Sequence, residues 1–312
     1  MRLIDILLNL FLDQAFHRII MSVTLNIPTI NDNLNDFDNL FQLLEQLNED
    51  CSEVIIDFSK CFFLRQNAVA FLGGLIRLIQ SRSIKLNINW DSIHNNIKMN
   101  LEQNGFMYAF CENKEPWQGN SIPYREDKKQ DKDGLVDYLA EKWLGRDWVD
   151  ISQKLQNVIV GTVWEIYANA FEHGKTEIGV FSCGQHYPRK KELKLTVVDF
   201  GVGIPQNVRL FRKLSDLPVD EALKWAFEAG TTTRRGDVAG GVGLDSLKRF
   251  VKMNRGKLEF FSHNGYVLIN KDEETYQKRQ TFFGGTLVNI TLQCDEAIYV
   301  LASDTDGDAP LF

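Results

Sequence analysis

The stretch VVDFGVGIP, residues 197–205, decides how this chain is read. An apolar run ends in a carboxylate, Asp199, and two glycines follow at 201 and 203. A carboxylate at the end of a buried strand, followed by two glycines, can put a hydrogen-bond acceptor at the edge of a purine. The glycines let backbone approach closely where a Cβ would obstruct it.

Upstream lies EIYANAFEHG, residues 165–174, in which Glu165, Asn169 and His173 recur every four residues. Four residues of an α-helix turn about 400°, so these three drift by only about 40° and share one face. Leu155, Val158, Ile159, Val163, Ile166 and Ala170 supply a separate apolar surface for packing. An amide oxygen suits a hard cation such as Mg²⁺. A neighbouring carboxylate suits orienting or deprotonating a nucleophile. An exposed polar face accounts for the same stripe if it is taken alone.

Downstream, AGGVGLDSLKRF (239–250) sets Gly240, Gly241 and Gly243 just before a helix. That order aims backbone N–H groups and a positive helix end at phosphate. No Gly-Lys-Ser/Thr follows, so it is not a P-loop. The preceding strand and later acidic residue of a dinucleotide fingerprint are also lacking.

Together, ExxxNAxxHG (Glu165 to Gly174), DxGxGIP (Asp199 to Pro205), GGxGL (Gly240 to Leu244) and a late GGT (Gly284 to Thr286) resemble the N, G1 and G2 boxes and terminal threonine of the GHKL ATPases. The resemblance covers roughly residues 135 to 295. It implies a Bergerat α/β sandwich with a mixed sheet and Mg-ATP held against it. It implies Asn169 as the Mg²⁺ ligand, Glu165 as general base and Asp199 as partner of the adenine amino group. Thr286 would support Asp199 through a water. Gly201, Gly203, Gly240, Gly241, Gly243 and Leu244 would frame the nucleotide and its lid. Arg234 and Arg235, in the lid stretch GTTTRRGDVAGG, are candidates for the γ-phosphate, since guanidinium pairs bidentately with phosphate. Solvent-facing loop arginines are the other reading. His173 and Lys175 would lie near the phosphates, His173 equally as a packing or capping residue. Gly201→Val and Gly243→Val are expected to abolish nucleotide binding with the fold kept.

Residues 22–110 alternate strand and helix patterns, in SVTLNIP, NDFDNLFQLLEQLN, EVIIDF, NAVAFLGGLIRLIQ, IKLNIN and SIHNNIKMNLEQNG. Such alternation implies a sheet covered by helices. EVIIDFSKCFFLRQNAVAFLGGLIRL is similar to the STAS domains, whose turn carries a phosphorylated serine. The matching positions here are Arg65, Gln66 and Asn67, without a hydroxyl, while Ser59 and Ser81 lie off the turn. A STAS-like module that regulates or recruits the ATPase is the implied role. Residues 111–134, rich in charge with two prolines, read as a solvated linker in which IPYRE is the only apolar piece. Residues 296–312 read as a tail.

Net charge is −7, which disfavours nonspecific binding to nucleic acid or anionic membrane. Five scattered cysteines without CxxC spacing argue against a zinc site or a disulfide framework and fit a reducing cytoplasm. In MRLIDILLNLFLDQAFHRII, Asp5, Asn9 and Asp13 interrupt the apolar run before it reaches the ~18 residues of a membrane span. Residues 1–21 are a docking helix or an upstream extension ahead of a start at Met21.

No H-E/D-x-x-x-P phosphoacceptor helix precedes the ATPase region, and no transducer domain follows it. NAFEHG resembles most the anti-sigma-factor serine kinases. The expectation is an ATP-dependent regulatory switch that binds a protein partner, with homodimerisation common in this superfamily. A kinase acting on a separate STAS-type partner and a non-catalytic ATP-gated scaffold are the alternatives.

Overall fold

The alternating SVTLNIP stretch does form a strand. In the computed structural model, which describes residues 21–48, 50–111, 115–117, 119–228 and 242–301, β1 (Met21–Asn26), β2 (Cys51–Asp57) and β3 (Lys85–Asn89) make a parallel sheet in that order. The expectations for residues 1–20 and 302–312 lie outside the described residues. Helices α1 (Leu34–Glu45) and α2 (Gln66–Ser81) connect the strands. Asp36 accepts the backbone N–H of Asn33 at 3.1 Å and so closes the start of α1. The outer face of the sheet is polar: Glu53 meets Lys85 and Asn87, and Asp57 meets Asn89. That face stands in water, although parallel sheets are usually covered on both sides. Leu25, Val54 and Ile56 pack on the other side with α1 and α2.

Next come α3 (Asn95–Gln103), α4 (Phe106–Phe110) and β4 (Ser121–Asp127). Residues 111–134 are therefore not a solvated linker along their length. IPYRE is an edge strand of the second sheet, paired antiparallel to a later strand. Edge position tolerates Pro123, which lacks an N–H. The strand's charges are paired: Arg125 grips Asp127 through Nε, and Glu126 accepts from Arg77 and Tyr124.

The remaining elements are α5 (Lys132–Asp137), which continues into a π-helical stretch Tyr138–Leu144, then β5 (Asp150–Ile151), α6 (Gln153–Glu172), β6 (Val180–Tyr187), β7 (Glu192–Asp199), α7 (Gly203–Arg212), α8 (Val219–Phe227), α9 (Val242–Met253), β8 (Lys257–Asn270), β9 (Glu274–Gln293) and β10 (Ile298–Tyr299). The second sheet runs β4-β6-β7-β9-β8, with each neighbouring pair antiparallel. The chain is thus mixed α/β, with parallel pairing in the three-stranded sheet and in a short β5–β10 ladder and antiparallel pairing in the five-stranded sheet. GKLEFFS and GYVLIN together form one strand, β8, with irregular register around His263. The start of the expected tail also belongs to the fold, because β10 pairs with β5 and Tyr299 is buried.

Two apolar clusters lie on opposite faces of the five-stranded sheet. On β7, Leu193, Leu195 and Val197 join the cluster under α6 and α9. Val198 joins the cluster of α1 and α2. The first module therefore covers the back of the second sheet. Phe37 stacks on Phe261 at 4.2 Å and Phe41 on Phe283 at 4.8 Å. A Cβ on Gly74 of α2 would lie 2.1 Å from the Phe200 ring, so a glycine is needed for this approach.

Polar groups are buried in the same interface. Asp32 receives Lys194 Nζ at 2.7 Å and Asn67 Nδ2 at 2.8 Å, with Arg65 Nε at 3.2 Å. Gln66 donates to Thr196 and Asn289 and accepts from Tyr187. Arg65, Gln66 and Asn67 are 5%, 3% and 0% exposed. The segment Arg65–Asn67 is thus sealed against the sheet.

Candidate functional site

Asp199 ends β7 on the face opposite the first module. It is 4% exposed, and its Oδ1 accepts the Gly201 N–H at 2.8 Å. Burial pushes its carboxyl up to about 7, against the partial compensation of backbone N–H bonds from Gly201 and Thr286. Thr286 on β9 is its direct partner in the antiparallel register.

Helix α6 starts at a Ser152 cap whose hydroxyl accepts from Leu155 N. Leu155, Ile159, Val163 and Ala170 are buried as their spacing predicts, while Val158 is exposed. Glu165 and Asn169 are exposed on this helix, and His173 is half-buried at its C-terminal cap. The capping reading of His173 fits its backbone: its carbonyl accepts Asn207 Nδ2 at 3.0 Å.

The end of α6 docks directly on the loop after Asp199. Val202 N–H donates to Gly174 O at 2.7 Å. A Cβ on Gly201 would fall 1.8 Å from Gly174 O, a backbone atom that cannot swing aside. Gly201→Val therefore attacks the fold as well as any ligand, which corrects the expectation of a folded variant. Gly203 has φ +71° and opens α7. A Cβ on Gly285 would lie 1.9 Å from Asp199 O, so the GGT stretch is pressed against β7 in the same way. Helix α9 begins at Val242, with Gly243 in its first turn and Leu244 packed on the core, and it rests against α6.

The first, second and last of the expected boxes thus converge around Asp199, and the helix of the third lies beside them. Arg234, Arg235, Gly240 and Gly241 lie outside the described residues.

No protein-family model and no curated protein matches this chain.

The donors fit a magnesium nucleotide. Asn169 and Glu165 offer exposed hard oxygen atoms on adjacent helical turns, the ligand type Mg²⁺ takes alongside its own waters. Among the described residues no cluster of three His, Cys, Asp or Glu side chains could hold a metal by itself.

Three residues of the site were not evident from sequence. Asn207 Nδ2 bonds both His173 O and Gly203 O, tying α6 to α7. Ser262 and His263 bond the loop after Asp199 from β8. They sit in SHNG, which reads only as a break between two strands.

Proposed function

We propose that the chain binds Mg-ATP as a GHKL-type ATPase and serves as a nucleotide-dependent switch for a protein partner. The observation that carries this reading is the buried Asp199 carboxylate, seated where the end of α6, the glycine loop and the GGT strand meet. In this reading Asp199 accepts the adenine amino group and Thr286 supports it. Asn169 would hold Mg²⁺, which when bound neutralises phosphate charge. Glu165 takes the proton of the attacking water or hydroxyl. Gly201, Gly203, Gly243 and Leu244 frame the ligand, and from sequence alone Gly240 and Gly241 would join them and Arg234 and Arg235 would pair with the γ-phosphate.

The first module is read as a STAS-like wall rather than a substrate in cis. A kinase reaching Arg65–Asn67 would first have to part the aromatic interface. A target for phosphoryl transfer would then have to be a separate protein.

The fate of γ-labelled phosphate tests the proposal. Purified protein with Mg²⁺ and ATP, alone and with cell extract, is compared with Glu165→Ala. Free phosphate that disappears in the variant supports an ATPase switch. Label on an extract protein replaces it with the kinase reading. Bound ATP with neither product replaces it with an ATP-gated scaffold.

A further inference from the structure

Ser262 is fully buried and faces Thr286 across β8 and β9, as Thr286 faces Asp199 across β9 and β7. The three residues form a row over three strands. The Ser262 hydroxyl donates to Gly285 O at 2.8 Å and accepts the Ile204 N–H at 2.9 Å. Thr286 Oγ1 lies 3.2 Å away. A serine hydroxyl has one proton and two lone pairs. Its proton is committed to Gly285, so the contact with Thr286 requires Thr286 to donate. All three positions on Ser262 are then filled, and the lone pairs of Thr286 are what remain for a ligand.

The next residue acts on the same loop. His263 Nε2 lies 2.9 Å from Val202 O. A carbonyl only accepts, so Nε2 carries the proton. His263 has φ +53°, and its ring rests on Phe282 at 4.8 Å between centroids. One corner of β8 thus holds the loop after Asp199 at two points, Val202 O and Ile204 N.

We infer that Ser262 and His263 are positioning residues that set the base preference of this site. Ser262 orients Thr286 so that Thr286 and Asp199 both present acceptors, and His263 fixes the loop that carries them. A pair of acceptors selects a base edge that donates, an amino group, over one that bears a carbonyl. This rests on the nucleotide reading above and names its selectivity.

The test compares ATP and GTP affinities of wild type, Ser262→Ala, His263→Ala and Asp199→Asn, with thermal melting as a folding control. Loss of the Ser262 hydroxyl frees the Thr286 proton to face the ligand. ATP affinity is expected to fall about tenfold, on the scale of one hydrogen bond, while GTP affinity holds or rises. His263→Ala is expected to weaken ATP similarly, and it carries the test if Ser262→Ala does not fold. If wild type binds ATP, Asp199→Asn does not, and the folded β8 variants keep wild-type affinity and base preference, the positioning role is wrong and the nucleotide site stands. If wild type binds neither nucleotide, both fall.

Discussion

Asp199 and Thr286 are paired directly across the β7–β9 ladder, and the Thr286 backbone N–H bonds the Asp199 carboxyl. The pairing puts one buried ionisable acceptor in a row with the Thr286 and Ser262 hydroxyls, at the end of the strand where α6 and the glycine loop meet. Its protonation bears on stability directly and, in the nucleotide reading proposed above, on ligand binding.

The folded-state value of Asp199 is raised by burial to about 7, above the ordinary 3.8. A raised carboxyl stabilises the fold fully below its unfolded value and loses that contribution as pH rises through the folded value. Stability should therefore decline between about pH 4 and 7 through this residue, and Asp199→Asn should remove that component of the denaturation profile. An ionised carboxyl accepts from an amino group more strongly than a protonated one, which carries a competing O–H. ATP affinity should accordingly rise through pH 7 in wild type more than in Asp199→Asn, a comparison that cancels the titration of the phosphates.

In the proposed reading, Glu165 carries the chemistry and Asn169 the metal. Glu165→Ala is expected to lower turnover at least about a hundredfold, the scale of a lost general base, with ATP affinity nearly unchanged. Asn169→Ala should instead abolish the Mg²⁺ dependence of ATP binding. Titrations with and without Mg²⁺ distinguish the two.

Glu274 anchors α9, the helix that begins in the GGxGL stretch. Burial would raise its carboxyl, but bonds from Lys248, Tyr276 and Lys252 outweigh this and hold it down to about 2. A lowered carboxyl stabilises above its unfolded value and loses that effect as pH falls through the folded value. The melting temperature should drop between about pH 4.5 and 2, less so in Glu274→Gln, as thermal scans across that range would reveal.

Asp32 is the shared anion of Arg65 and Lys194, which are themselves 5% and 3% exposed. Removing one partner of a buried ion pair typically costs about 3–5 kcal/mol, because the remaining charge is left uncompensated. Asp32→Ala should show that loss in denaturant titration. Wild type should unfold in one transition, since the two modules share an aromatic core. Two separated transitions would contradict the shared core.

Much of this was legible locally. Period-two and period-four patterns placed α1, α2, α6, β1, β2 and β7, because one buried face leaves its mark on contiguous residues. The motifs placed Asp199 and the α6 stripe for the same reason. What escaped is non-local. β4 reads as linker because its charges are neutralised by partners such as Arg77, 49 residues away from Glu126 in sequence. Arg65, Gln66 and Asn67 show in sequence only that they lack a hydroxyl, while their partners are on β6, β7 and β9 and in the loop after β1. α7 begins Gly-Ile-Pro, which reads as loop, yet proline is welcome in a first helical turn, where its missing N–H has no partner to lose.

Equilibrium binding of Mg-ATP to the purified chain, beside Asp199→Asn, tests the central claim most directly. The account expects saturable binding by wild type that is lost or weakened at least about tenfold in the variant, one charge-assisted hydrogen bond's worth of affinity. Absence of binding by the folded wild type, or equal binding by both proteins, would contradict it.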